Sequence, residues 1–309
     1  MFIHTIDPTL FSLGPFPVRF YGIVYAVGFL FMYFYLYQAA KKGKIKNLKP
    51  VDVDWLVIFL IIGVLVGARF FEVVVYNPGY YWQYPLDILK IWQGGLSFHG
   101  ALLGVFILTW LYSRKRDINL FEILDVAVIP LTIFLFLGRI ANFVNGELWG
   151  TVTNVPWCVK FQGVEGCRHP SQIYESLKNL GLFFILFFTS KHKKDRKPGF
   201  IFWLFVLLYG IFRFVITFLR FDDLYWGLSK GQWLCVVMII LGAYMLYRMK
   251  KQKEFKVKKK EKIKEKKEEK KEEKAEKKEE PVEEEQVKKE KEVEQQVAVD
   301  EQASEEKND

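Results

Sequence analysis

The chain has 309 residues, 51% of them hydrophobic and 17% aromatic, yet 26% are charged and the formal net charge is +9. A mean hydropathy of +0.09 averages two unlike parts, which excludes a single soluble domain. The cations cluster in short loops and form no basic groove motif, so the charge reads as membrane topology and not as a nucleic-acid surface. Three irregularly spaced cysteines, Cys158, Cys167 and Cys235, form neither a disulfide scaffold nor a metal-ligand set.

Residues Met1 to Pro17 carry no Lys or Arg and so lack the basic start of a cleavable signal peptide. A first span is expected from about Arg19 to Ala39, near the roughly twenty residues that cross a bilayer. Lys41, Lys42, Lys44, Lys46 and Lys49 follow it. A second, about Val53 to Tyr76, leads into an aromatic connection through Tyr80, Tyr81, Trp82 and Tyr84, where rings settle at headgroups. The third, about Phe98 to Tyr112, ends in Arg114, Lys115 and Arg116, and the fourth runs from about Phe121 to Leu137. The fifth, about Ser171 to Thr189, ends in Lys191, Lys193, Lys194, Arg196 and Lys197. A sixth covers about Gly199 to Leu219, and a seventh, about Gln232 to Tyr247, ends in Arg248, Lys250 and Lys251.

Basic residues thus follow every odd-numbered span, and the positive-inside rule has one solution. The chain is expected to be an all-α polytopic membrane protein with seven transmembrane helices, its N-terminus outside and its C-terminus cytoplasmic. Residues 1–249 form the membrane domain. Residues 250–309 are a Lys/Glu-rich cytoplasmic tail that cannot bury enough apolar surface to order itself.

With that topology the polar residues of the spans converge at one depth. Gly138 to Gly150 reads Gly-Arg-Ile-Ala-Asn-Phe-Val-Asn-Gly-Glu-Leu-Trp-Gly and follows an apolar run. Its glycines suit chain that leaves a helix and lets a ligand approach. Tyr21, Arg69, Glu72 and His99 lie near the same level, as do His169, Gln172, Tyr174 and Glu175, and Arg213 and Arg220. Each has a plain structural alternative. Arg69 and Glu72, three apart on one helical face, are placed to pair; Arg139 could snorkel; Glu175 could balance an arginine; Tyr21 could anchor the interface. Those alternatives leave the recurrence of arginines at one depth in three spans unexplained. An arginine is always charged, and its planar donors suit phosphate or carboxylate. At the outer leaflet that anion is a phospholipid headgroup.

These residues resemble the prolipoprotein diacylglyceryl transferase family. The family's GRxGNFxNxExxG pattern is similar to Gly138 to Gly150, its GGLSxHG to Gly94 to Gly100, and its HPSQxYE to His169 to Glu175. Arg19 to Gly22, Gly67 to Arg69, Tyr209 to Arg213 and Ser229 to Gln232 extend the match in order over about residues 17 to 248. Two positions depart: Ala141 replaces a glycine, and Thr217 replaces the acid expected four residues after Arg213, leaving Glu72, Glu147 or Glu175 to balance that arginine. The resemblance implies transfer of a diacylglyceryl group from phosphatidylglycerol to the lipobox cysteine of a prolipoprotein signal peptide, with release of glycerol 1-phosphate. This would be the first step of bacterial lipoprotein maturation, at the outer leaflet of the cytoplasmic (inner) membrane. It implies no cofactor and no metal, and partners limited to the lipid bilayer, the lipid substrate and the prolipoprotein. Arg139 and Arg213 would clamp phosphate and His99 would serve as base or orienting donor. Tyr21, Arg69, Asn142, Asn145, Glu147, Gln172 and Glu175 would bind substrate.

Two other classes were weighed. A seven-span receptor or retinal protein lacks a lysine within span seven for a Schiff base. A lipid transporter or scramblase would use a cationic cavity without chemistry, but the chain shows no internal repeat. Cys158 and Cys167, nine residues apart in the loop placed outside, either close a bridge or stay free, whereas Cys235 stays reduced.

Overall fold

The computed structural model describes residues 2–13, 16–192, 196–221, 223–252 and Val293. Strands β1 (Phe2–Ile3), β2 (Thr9–Leu13) and β3 (Phe16–Arg19) precede helices α1 (Phe20–Lys41) and α2 (Pro50–Phe71), and a π-helical turn, Glu72–Tyr76, prolongs α2. A short helix α3 (Pro78–Gln83) and two 3-10 turns lead to α4 (Phe98–Lys115). There follow α5 (Leu120–Val144), β4 (Val159–Lys160), α6 (Ser171–His192), α7 (Phe200–Thr217), β5 (Leu224–Tyr225), β6 (Leu228–Ser229) and α8 (Lys230–Gln252). Residues 1–247 make one compact unit. The Lys/Glu tail, expected to be disordered, lies outside the described residues apart from 250–252 and Val293.

The described residues are mostly helical, with short strand pairs beside the helices, and among them five helices are long and apolar enough to cross a membrane: α1, α2 with its π turn, α5, α7 and α8. The two further expected spans, α4 and α6, are helical over 18 and 22 residues but more polar. Gln172, Glu175, Lys178 and Asn179 lie along one buried face of α6.

Helix ends carry backbone groups with no partner inside the helix, and in lipid these must be satisfied by protein. Local residues do so for α4, where Ser97 Oγ accepts from Gly100 N at 3.2 Å, and for α5, where Asn119 Oδ1 accepts from Phe121 N at 2.9 Å. The start of α7 has no such residue: Gly199 turns the chain at φ 94°. Its cap comes from α5 instead, as Asp125 accepts from Gly199 N and Phe202 N, both at 2.8 Å. The end of α6 is closed by Arg196, which donates to the carbonyls of Thr189 at 3.0 Å and Ser190 at 2.7 Å.

The most extensive helix pair is α2 with α4, and glycines make it so. A Cβ at Gly67 would lie 2.4 Å from the Gly100 carbonyl oxygen, and one at Gly104 would lie 2.2 Å from that of Gly63. Gly63 and Gly67 therefore face Gly100 and Gly104 backbone to backbone, the small-residue packing by which helices associate when lipid supplies no hydrophobic drive.

Successive long helices alternate in direction, so each end of the bundle gathers its own residues. At one end the end of α1, the start of α2, the end of α4 and the start of α5 bury Leu36, Ile45, Val53, Leu56, Tyr112 and Ile123. Val128, Ile129, Leu186, Ile201 and Phe205 extend this apolar core through α5, α6 and α7. At the opposite end the buried side chains are mostly polar.

Candidate active site

At that polar end, α5 runs on through the first half of the glycine-rich signature to Val144. Gly138, expected to release the chain, is helical; the turn comes at Gly146, with φ 67°, and Leu148, with φ 58°. A left-handed leucine costs roughly 1 to 2 kcal/mol, and here the Leu148 carbonyl is held by Ser171 Oγ at 2.8 Å. The turn carries Glu147 back over the helix. Its Oε1 accepts from Asn142 Nδ2 at 2.7 Å and from Asn145 Nδ2 at 3.4 Å, and its carbonyl accepts from Gln172 Nε2 at 2.6 Å. Asn142 also donates to the Tyr21 hydroxyl at 3.3 Å. Tyr21, Asn142, Asn145, Glu147 and Gln172, which lie in three separate stretches of sequence, are thus one network.

Beside it lies Glu175, 1% exposed, in the first turns of α6. Its Oε2 lies 2.9 Å from Arg139 Nε, and its Oε1 pairs with Arg213 and, at 3.1 Å, with Arg220 Nη1. Arg139 Nη1 donates in turn to Asn142 Oδ1 at 3.3 Å, which joins the two networks. Among the described residues, three guanidinium groups meet on this one carboxylate. Ions removed from water cost several kcal/mol each after relaxation, so excess charge of one sign is expensive unless an anion completes it. The Ala141 methyl is accommodated at 0% exposure. Thr217, the other departure, donates to the Arg213 carbonyl at 2.7 Å, and Glu175 is the acid that balances Arg213.

Two residues missed by sequence reasoning belong here. Arg220 was placed at this depth but given no role, and it is the third arginine on Glu175. Lys178, one turn beyond Glu175, is 9% exposed, and among the described residues its ammonium has no hydrogen-bond partner and lies 3.9 Å from the Tyr209 ring. A desolvated cation–π contact is worth about 2 kcal/mol, less than the desolvation it faces. The sequence signal was a lysine inside a span, masked by the polar residues around it.

Arg69 and His99 lie on the α2–α4 side of the same end. Arg69 is 7% exposed and donates to the carbonyls of Ile88 at 2.9 Å, Gly94 and Gly95 both at 2.8 Å, and Asp87. Its guanidinium organises the 85–95 connection and is not drawn to Glu175. The expected Arg69–Glu72 pair is not formed either, since Glu72 accepts from Asn77 Nδ2 at 2.6 Å. In the connection, Lys90 and the Tyr80 hydroxyl hold the Asp87 carboxyl below its usual range. His99 Nδ1 pairs with the Tyr76 hydroxyl at 2.9 Å, which fixes the ring plane.

The loop between α5 and α6 roofs this end. Cys158 and Cys167 form a disulfide with Cα atoms 5.6 Å apart, and Cys235 is free and buried. Arg168 stacks 4.0 Å over the Trp149 ring and donates to the Gly150 carbonyl at 3.2 Å. A Cβ at Gly150 would lie 2.5 Å from the Leu219 carbonyl oxygen. The loop also receives the N-terminus: β1 pairs in parallel with β4, and His4 Nε2 bonds the Phe143 carbonyl oxygen at 2.7 Å.

A cavity of about 480 Å³ at the opposite end is lined by Tyr35, Lys44, Glu122, Asp125, Ser190 and Arg196, among others. Its acids are already engaged by backbone: Asp125 caps α7, and Glu122 accepts from Lys46 N at 2.7 Å. It presents no convergent reactive set.

The fold and the buried group around Glu175 define a helical membrane protein with three arginines gathered on one buried carboxylate at one end of its bundle. The chain belongs to the prolipoprotein diacylglyceryl transferase family, whose profile matches residues 8–248. It is similar to the phosphatidylglycerol--prolipoprotein diacylglyceryl transferases of Bordetella avium, Rickettsia felis and Geobacter sulfurreducens. Identity is 39% over 249 residues, 40% over 254 and 39% over 255, respectively. These alignments cover 78%, 80% and 80% of this chain and 93%, 98% and 97% of the relatives.

Proposed function

We propose that this transferase moves the diacylglyceryl group of phosphatidylglycerol onto the lipobox cysteine of prolipoproteins and releases glycerol 1-phosphate. The observation that carries the reading is the convergence of Arg139, Arg213 and Arg220 on one buried Glu175, a cluster of guanidinium groups at membrane depth. In the reaction the cysteine sulfur forms a bond to the glycerol carbon that carries the phosphate. The carbon–oxygen bond breaks, and its electron pair leaves on the phosphate oxygen. Arg139 and Arg213 take the role of phosphate clamps, stabilising charge that grows on the leaving group. His99, oriented by Tyr76, takes the thiol proton, since an unperturbed thiol with a pKa of roughly 8.5 is a weak nucleophile until ionised. Asn142, Asn145, Glu147, Gln172 and Tyr21 shape the headgroup pocket, Glu175 sets the arginines, and Arg69 acts on substrate through the loop it holds. The residues named need no cofactor for this chemistry.

All seven long helices span the bilayer in this reading, α4 and α6 turning their polar faces to the protein interior. The N-terminus lies outside, the tail lies in the cytoplasm, and the site faces the outer leaflet of the bacterial inner membrane. The lysine-rich segments that follow alternate helices support this orientation. So does the Cys158–Cys167 bridge, which belongs in an oxidising compartment.

Purified protein incubated with phosphatidylglycerol labelled in its acyl chains and a lipobox peptide should yield a thioether-linked, labelled peptide and one equivalent of glycerol 1-phosphate. Movement of intact lipid across vesicle leaflets without labelled peptide would instead favour a lipid transporter.

A further inference from the structure

Lys178 has no part in the reading above. It shares the buried face of α6 with Gln172, Glu175 and Asn179, and among the described residues its ammonium has no hydrogen-bond partner. Two acceptors on that face, Gln172 Oε1 and Asn179 Oδ1, are also buried without a partner. A lysine near lipid ordinarily snorkels to water along its stem, but this residue is 9% exposed and its ammonium is turned to the Tyr209 ring of α7. The acid one turn away, Glu175, is already shared among three arginines. One cation and two acceptors are therefore held open on one face, the donor and acceptor pattern of a small hydroxylated anion.

We propose that Lys178 is a fourth cation of the phosphate site and that it recognises the phosphate monoester more than the diester. Gln172 and Asn179 would accept the hydroxyl hydrogens of the glycerol attached to that phosphate. The proposal rests on the transfer reading. There the lipid enters as a phosphodiester with one negative charge. When the carbon–oxygen bond breaks, the bond pair stays on the phosphate oxygen, and the product is a monoester whose second ionisation lies near pH 6. The group therefore gains about one charge during the reaction. Arg139 and Arg213 meet both species; Lys178 supplies the counter-charge for the one that appears.

The test compares two soluble probes, glycerol 1-phosphate and glycerophosphoglycerol, binding the full-length protein in detergent at about pH 8, where only the first is a dianion. Lys178→Met, which keeps the unbranched stem, should weaken glycerol 1-phosphate by about tenfold or more, the cost of a lost charge-assisted bond. It should change glycerophosphoglycerol by less than about twofold. Lys178→Arg, which keeps the charge, should retain the monoester preference. In turnover, Lys178→Met should lower the rate and relieve inhibition by added glycerol 1-phosphate. Unchanged monoester affinity in Lys178→Met, or equal loss for both probes together with a lower melting temperature, would overturn the proposal and leave Lys178 a structural residue. The two readings fail separately. A wild-type protein that prefers the monoester but transfers no lipid refutes the transfer reading alone. One that transfers lipid, with a Lys178→Met variant indistinguishable in probe binding, refutes the Lys178 proposal alone.

Discussion

The Glu175 carboxylate meets the Arg139 guanidinium at its Nε, 2.9 Å away, while Arg139 Nη1 is turned to Asn142. The acid therefore fixes the arginine from its stem side, and Nη1, on the two-nitrogen edge that suits phosphate, is turned to the Asn142–Glu147 network. Replacing Arg139 with alanine should lower turnover by roughly a hundred- to a thousandfold, about 2.7 to 4 kcal/mol. The effect should fall on the rate more than on lipid affinity. Arg139→Lys should rescue poorly, because it keeps the charge and loses the planar fork. Near wild-type turnover in a correctly inserted Arg139→Ala protein would make this arginine a structural residue.

Glu175→Gln removes the carboxylate shared by three arginines. Breaking a buried pair in this way costs about 3 to 5 kcal/mol, so the variant should unfold at a clearly lower temperature in detergent. Glu72→Gln, where the acid accepts only from Asn77, should melt within a few degrees of wild type. Equal melting temperatures for the two variants would contradict the assignment of Glu175 as the balancing acid.

The α2–α4 contact can be probed without touching the site. In Gly104→Ala the new methyl would lie 2.2 Å from the Gly63 carbonyl oxygen, and the helices must part. Such overpacking costs about 1 to 3 kcal/mol. Gly181→Ala, where an added Cβ meets nothing within 4 Å, should be neutral or stabilising, since alanine favours a helix over glycine by roughly 1 kcal/mol. A thermal-unfolding series should show a lower melting temperature for Gly104→Ala and an unchanged or higher one for Gly181→Ala.

Replacing Cys158 and Cys167 with serine should loosen the roof over the site. A bridge closing so short a loop is worth about 2 to 3 kcal/mol on chain-entropy grounds, and the loss should appear as faster proteolysis within residues 151–168. Intact-mass analysis after alkylation should find one modified thiol in unreduced wild type, Cys235 after unfolding. Three would exclude the bridge.

The sequence revealed the depth of the site better than its wiring. Hydropathy and lysine-rich loops located the helices, and arginines recurring at one level in separate spans pointed to a common anion. Which acid balanced Arg213 was open among Glu72, Glu147 and Glu175, because helix rotation about its own axis decides it and no local spacing reports rotation. The same limit hid Lys178, which periodicity alone could turn either to lipid or to the interior. Arg69 misled for another reason. Its partners are four backbone carbonyls between Asp87 and Gly95, and a carbonyl acceptor leaves no trace in residue type. The signature's glycines suggested an early exit from α5, yet Gly138 stays helical and the turn waits until Gly146, since apolar neighbours at this depth favour a helix with every backbone group bonded.

The pairing of Phe2 with Val159 also bears on how the molecule is made. A ribosome emits the N-terminal strand first, but the strand to which it bonds emerges 157 residues later (159 − 2). At about 5 to 20 residues per second, the first strand and His4 wait roughly 8 to 30 s for their seat, longer than any helix hairpin in the bundle needs to close. The β1–β4 pair of the roof can therefore form only after α1 to α5 have been made, and a bulky fusion at Met1 should delay that closing step while leaving helix insertion unaffected.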